Sequence, residues 1–191
     1  MDDPQKAPVM RFRWGTLLTM TAAVNLIAIA MWIDPPPRII WNASPSVPIG
    51  FYRVHQEHDL RVGDLAAITP PTDIARFLDQ RGYLPDGVPL LKPVAALPGQ
   101  TVCRIGTRIT VDGAVVGDAQ SHDRLGRPLP VWRGCQTIAT GALFFMNPAR
   151  GDSLDGRYFG PLPASSVIGR ATPLRTSARI PNSSPQQPEE S

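Results

Sequence analysis

The sequence predicts a mostly β domain with one short helix, carried behind a single N-terminal transmembrane helix. Three observations predict it. First, 22 prolines and 16 glycines in 191 residues argue against a helical bundle and for short strands joined by turns. Second, residues 14 to 33 carry no charge; as a helix that run spans about 30 Å, the thickness of a bilayer core. Third, Asp112-Gly113 separates the apolar-rich runs Arg108-Ile109-Thr110-Val111 and Ala114-Val115-Val116. That dipeptide in that setting is a tight hairpin turn.

In chain order, residues 1–13 read as a polar cytoplasmic tail with Lys6, Arg11 and Arg13. Trp14 and Trp32 stand near the two ends of the apolar run, where interfacial aromatics belong, and the positive-inside rule places the rest of the chain outside the cytoplasm. The small-x-small triplet Ala28-Ile29-Ala30 raises a cleavable signal peptide as a rival, but the run continues to Ile33, longer than the core of such a peptide. A retained anchor over 14–33 is the reading adopted. Pro35-Pro36-Pro37 cannot continue a helix. Trp41 then docks at the membrane surface or in the core.

Strands are expected over Phe51 to His55, up to Ile68, Leu90 to Ala96, Thr101 to Arg104, the hairpin, Gly141 to Asn147 and Ser166 to Ala171. Asp73 to Gln80 reads as a helix, with Thr72 as its cap and Ile74, Phe77 and Leu78 on one face. Residues 38–175 form the β domain, and 176–191 read as a disordered Ser/Pro/Gln/Glu tail. Net charge is only +3, with no Lys/Arg run interleaved with aromatics, so nucleic acid is not an expected partner. Cys103 and Cys135 either bridge, worth about 4 kcal/mol in the chain-entropy account, or remain two buried thiols.

The chemistry-bearing candidates are a serine and a lysine. Asn42-Ala43-Ser44-Pro45-Ser46-Val47-Pro48-Ile49-Gly50-Phe51-Tyr52 holds Ser46 in a turn closed by prolines and a glycine. A hydroxyl there needs a base within reach to become a nucleophile. His55, His58 and His122 lie in polar, charged stretches and read as solvated loop histidines. Of 19 basic residues only Lys6 and Lys92 are lysines, and Lys92 lies in the apolar run Leu90 to Leu97. Lysine, unlike arginine, can give up its proton when burial makes the ammonium costly. A shift of about 3 units takes about 4 kcal/mol. The competing reading is a snorkelling lysine with a wet head.

Three islands stand in order behind the anchor: the serine turn; Lys92-Pro93-Val94-Ala95-Ala96-Leu97-Pro98-Gly99; and Asp152-Ser153-Leu154-Asp155-Gly156-Arg157-Tyr158-Phe159-Gly160-Pro161. Together, over residues 14 to 172, they resemble the type I signal peptidase family. Within it, the Ser-x-Pro-x-Gly-x-Tyr spacing and the Asp-Gly-Arg-Tyr-Phe-Gly-Pro run resemble the TraF-type peptidases of conjugative plasmid transfer. Gln100 stands where many members have Asp, and Gly156 where many have Ser; neither position carries chemistry.

The resemblance implies a signal-peptidase-like antiparallel β catalytic domain with Ser46 as nucleophile and Lys92 as general base. It implies that Ser44 joins the Ser46 N–H in an oxyanion hole, that Ser153 aims the lysine amine, and that Asp155 and Arg157 form an ion pair fixing their loop rather than a surface pair. No cofactor or metal is expected. The expected substrate is a pilin-like precursor with small residues before the cut, processed on the periplasmic side of the bacterial inner membrane, with a linear or cyclic product. Two rivals are a non-catalytic periplasmic scaffold of a secretion apparatus and a self-cleaving Ser/Lys regulator. The second would need a DNA-binding domain where this chain has an apolar span.

Overall fold

The computed structural model describes residues 14–32, 38–57 and 59–177. The expectations on Lys6, Arg11, Arg13, Pro35 to Pro37, His58 and residues 178–191 lie outside the described residues. The chain divides into two units, 1–36 and 37–191.

The first unit holds helix α1 (Trp14–Trp32), which has no acid in its first turn and no base in its last. Leu17, Leu18, Met20, Val24, Leu26, Ile27 and Ile29 all stand exposed around it. Its polar side chains bond back to the helix: Thr19 Oγ1 donates to Thr16 O at 2.9 Å, and Asn25 Nδ2 to Thr21 O at 2.8 Å. Among the described residues no helix is long and apolar enough to cross a membrane. The uncharged run in the sequence extends beyond them to Ile33.

The second unit is mostly β. In order it contains β1 (Ile39–Asn42), β2 (Gly50–His55), β3 (Leu65–Ile68), α2 (Thr72–Gln80), β4 (Leu90–Ala96), β5 (Thr101–Ile105), β6 (Arg108–Val111) and β7 (Ala114–Asp118). There follow β8 (Gly134–Thr137), β9 (Ala142–Phe145), α3 (Gly156–Phe159), β10 (Leu162–Pro163), a 3₁₀ turn Ala164–Ser166 and β11 (Val167–Thr176). A seven-stranded sheet runs β1-β2-β11-β3-β4-β9-β10, and a four-stranded sheet runs β7-β6-β5-β8. All pairings within these sheets are antiparallel.

Local chemistry explains most of these elements. Asp112 (φ 48°) and Gly113 (φ 83°) both have positive φ, as the β6–β7 turn requires. Strand β9 is buried on both faces. Leu143 and Phe145 pack with Ile68, Leu78 and Val94, while Phe144 packs with Val102 and Ile109. This is the period of two expected of a strand between two cores. Helix α2 buries Ile74 and Leu78, but Thr72 does not cap it: Thr72 is already helical, Pro71 precedes it, and no side chain caps the end. Trp41 is not a core residue; it is 53% exposed and packs its ring 4.7 Å from that of Phe51.

β11 runs to Thr176, paired with Gly50, and Ser177 N donates to Ile49 O. The β pairing therefore reaches two residues into the segment read as a tail. Cys103 and Cys135 are opposite one another in the β5–β8 pair and are joined by a disulfide. Of the two readings left open above, the bridge is the one present.

Gly156, the departure noted in the third island, has a packing cause. A Cβ there would lie 2.5 Å from Phe144 Cε2 and 2.7 Å from the Phe145 carbonyl oxygen. The second contact is backbone and cannot swing away. Gly156→Ser should therefore destabilise the domain by about 1–3 kcal/mol through overpacking, read as a lower urea midpoint with an unchanged slope.

Candidate active site

The serine turn links β1 to β2, and side-chain donors hold its carbonyls. Buried Asn42, the last residue of β1, points its amide at Ser44 O (2.8 Å), Val47 O (3.1 Å) and Pro48 O (3.2 Å), and its Oδ1 accepts from Ser44 N at 3.1 Å. Tyr52, fully buried on β2, donates to Pro48 O at 2.6 Å. Asn147, just beyond β9, donates to Ser46 O at 2.5 Å. Gly50 is required by close approach: a Cβ there would lie 2.1 Å from the Arg175 carbonyl oxygen on β11. Asn42, Gly50 and Tyr52 thus each have a contact that explains the residue type at that position.

Ser44 and Ser46 are both half-buried. Their hydroxyl oxygens are 3.0 Å apart, and the Ser46 N–H donates to Ser44 Oγ at 3.3 Å.

Lys92 enters from β4, opposite Ala66 of β3. It is only 4% exposed, which removes the snorkelling alternative. Its amine donates to Ser153 Oγ at 2.8 Å. Burial pushes the ammonium pKa down from 10.5 to about 8. Asp155 opposes that shift, Arg157 adds to it, and Asp152 opposes it more weakly.

Asp155 and Arg157 pair at 3.0 Å with their side chains 0% and 1% exposed, so the surface-pair alternative does not apply. Asp155 also accepts from Arg157 N and Asn147 N. Arg157 donates to Asn147 O at 2.5 Å and Arg150 O at 2.7 Å. Ser153 N in turn donates to Arg150 O, so the loop carrying Ser153 is folded around the guanidinium.

Ser44, Ser46, Lys92 and Ser153 line one cavity of about 290 Å³. Its other wall comes from Leu78 near the end of α2, from Arg81 to Leu84 just after that helix, and from the loop of residues 119–129. That loop is tied down by Arg81 Nη1 to Pro128 O, by Tyr83 and Arg127 on Asp123, and by Arg124 on Asp152. There is no direct hydrogen bond between Ser46 and Lys92; each hydroxyl or amine is held by a neighbouring serine. Neither His55 nor His122 lines the cavity; they bond to Thr172 and Ser121. Gln100 closes the Pro98-Gly99 turn, accepting from Leu97 N and donating to Asp112. Cys103 and Cys135 lie away from this cavity.

Sequence reasoning missed Asn42, Asn147 and the second wall. Asn-Pro after a buried strand (Asn147-Pro148) marks a turn, but not which carbonyl the amide meets.

The family model described as signal peptidase, peptidase S26, matches residues 11–174. The chain is similar to a probable conjugal transfer protein TraF of Sinorhizobium fredii (strain NBRC 101917 / NGR234), at 39% identity over 85% of this chain and 88% of the relative. It is similar also to a conjugal transfer protein TraF of Agrobacterium fabrum, at 35% identity over 71% of this chain and 81% of the relative. A solved signal peptidase I of Enterococcus faecalis aligns with 60% of this chain and 97% of its own, at 21% identity and a TM-score of 0.37, too distant to carry an argument.

The Lys92 shift has a stability consequence. Its pKa is 10.5 in the unfolded reference and about 8 in the fold. Below pH 8 both states hold the proton, and the buried ammonium costs the fold about 3 kcal/mol. Between pH 8 and 10.5 the unfolded chain binds the extra proton, so the cost is relieved as pH rises. Wild-type stability measured against Lys92→Met should therefore climb across that window in urea titrations and be flat from pH 6 to 7.

Proposed function

The chain belongs to the signal peptidase (peptidase S26) family, in its TraF-type branch, and from that premise we propose that it is a serine endopeptidase in which Ser46 attacks and Lys92 is the general base. Neutral Lys92 takes the Ser46 hydroxyl proton as Ser46 Oγ adds to the scissile carbonyl. The tetrahedral oxyanion is met by the Ser46 N–H and the Ser44 hydroxyl, each such donor being worth a few kcal/mol. Lys92 then returns the proton to the leaving amine, and the acyl-enzyme is resolved by water that Lys92 deprotonates. A substrate's own amino terminus in place of water would give a cyclic product.

One observation supports this reading above the others. A buried lysine, shifted to about 8 and held by Ser153, shares a cavity with Ser46. The described arrangement must change at one hydroxyl for the reaction to begin. Ser46 Oγ leaves Ser44 for Lys92, and a substrate carbonyl oxygen takes the place of Ser44 Oγ at the Ser46 N–H. Catalytic hydrogen bonds commonly tighten only when substrate binds.

The relatives are named for conjugal transfer, so the proposed substrate is a pilin-like precursor of a conjugation apparatus, with small residues before the cut. The proposed location is the inner membrane, with the uncharged run of residues 14–33 as a single-pass anchor and the β unit in the periplasm. The exposed apolar surface of α1 and its back-bonded Thr19 and Asn25 support that anchor. So does the basic tail before it.

Co-expression with a candidate pilin precursor, read by the mass of the product, tests the proposal. Ser46→Ala, Lys92→Ala and Lys92→Arg should each lower processing by more than about 10³-fold while the protein stays folded. Wild-type kcat/KM should rise about tenfold per pH unit below about pH 8 and level off above it, since only the deprotonated amine is a base. Full conjugative function with Lys92→Arg would favour a non-catalytic scaffold instead.

A further inference from the structure

The two halves of the proposed dyad reach the cavity on different parts of the chain. Ser46 lies in the β1–β2 turn, and Lys92 lies on β4 with Ser153 from the third island. A hydroxyl and a base must be held to about 0.5 Å, and a misplacement of 1 Å can cost about 100-fold in rate. Something must therefore fix the turn to the frame that carries the lysine.

Among the described residues, the carbonyls of residues 43–48 accept side-chain hydrogen bonds from Asn42 and Tyr52, which are local, and from one distant side chain, Asn147, while the Ser44 N–H donates to Asn42 Oδ1. Asn147 is 101 positions from Ser46 and 8% exposed. Every polar group it has is engaged. Nδ2 donates to Ser46 O at 2.5 Å, and Oδ1 accepts from Ala149 N at 3.0 Å. Its N–H donates to Asp155 Oδ2 at 3.0 Å, and its carbonyl accepts from Arg157 Nη2 at 2.5 Å. The residue before it, Met146, donates its N–H to Pro93 O, the carbonyl next to Lys92.

We infer that Asn147 is the positioning residue of the nucleophile turn. Its backbone is locked to the Asp155–Arg157 pair, and its amide holds the Ser46 carbonyl, fixing the turn that carries Ser46 to the frame that carries Lys92. The inference rests on the Ser46/Lys92 reading above. It assigns Asn147 no contact with the reacting atoms. Fixing the Ser46 carbonyl fixes the peptide plane that follows the nucleophile. It thereby restricts the backbone torsion that aims both the Ser46 side chain and its N–H.

The test uses the full chain in detergent and a quenched-fluorescent peptide spanning the junction cut in the co-expression assay. Asn147→Ala removes the donor and the acceptor. Asn147→Asp keeps the shape and the acceptor for Ala149 and loses the donor. Each should lower kcat about 10- to 100-fold per folded molecule, with KM within about threefold of wild type. In Asn147→Ala the acid limb of the pH profile should stay near pH 8, because the environment of Lys92 is kept. A purely structural role predicts a lower melting midpoint and a smaller folded fraction with normal kcat per folded molecule; that result overturns the inference. So does a kcat within threefold of wild type in both variants. Ser46→Ala, assayed alongside, separates the two levels. If it is inactive while Asn147→Ala is fully active, only the positioning role falls. If Ser46→Ala cleaves normally, the dyad reading falls and the positioning role with it.

Discussion

The Asp155–Arg157 pair is the constraint on which the site depends. Both side chains are out of water. Moving two such charges into a protein interior costs several kcal/mol per ion, and their mutual attraction offsets this only when the remaining donors and acceptors are also met. Here they are. Asp155 accepts from the Arg157 backbone and guanidinium and from Asn147 N, while the guanidinium spreads over the carbonyls of Asn147, Arg150 and Asp118. An apolar pair of equal volume could fill the space. It could not gather three carbonyls from two stretches of chain, and it is the carbonyls of Asn147 and Arg150 that place Asn147 and the Ser153 loop.

The pair also governs the lysine. A buried amine beside an unpaired carboxylate would stay charged, because the carboxylate would favour the ammonium. Asp155 does pull the Lys92 pKa upward, but Arg157 pulls it down again and burial outweighs both. Bringing a carboxylate into this loop without its arginine would make Lys92 a better ion and a worse base. The neutral partner at the amine is Ser153, which can accept from an ammonium and donate to a free amine. A hydroxyl there tolerates both protonation states, which a carboxylate would not.

Legibility in the sequence followed the range of the interactions. Asp112-Gly113 announced its hairpin because the turn is a property of two residues. The apolar run at β9 announced a strand buried on both sides, and the lone apolar lysine announced itself by composition. β8 did not: its four residues are all exposed, so no alternation of polarity marks them, and only pairing with β5 and the Cys103–Cys135 bond make them a strand. The two-residue β10 and the strand order are likewise long-range outcomes. Asn42 and Asn147 were invisible for the same reason. An asparagine's local signature is a turn, and which distant carbonyl its amide will meet is decided by how sheets close. The departure at Gly156 was legible as a departure, but its cause, the ring of Phe144 and the Phe145 carbonyl, exists only in the fold.

The skewed use of basic residues now has a physical account. Arginine fills the positions where a cation must hold several carbonyls at once. Arg157 does so at the site. Arg104, 2% exposed and without a carboxylate partner among the described residues, spans Gly106 O, Pro130 O and Arg157 O and lies over the Tyr158 ring. Arg81 and Arg127 tie the end of α2 to the loop of residues 119–129 with one carbonyl each, Pro128 O and Arg81 O, and Arg127 also pairs with Asp123. A guanidinium offers five donors in a rigid fork and keeps its charge in the interior. An ammonium in those places would satisfy fewer acceptors and, once buried, would tend to lose its proton and with it part of its hold. At residue 92 the requirements are reversed. One hydroxyl is met, and the proposed role as base asks that the proton leave near neutral pH. Lysine is the side chain that meets both conditions, and within the β unit it occurs at that position alone. The partition of the two cations therefore follows from which sites need a permanent charge and which needs a removable one.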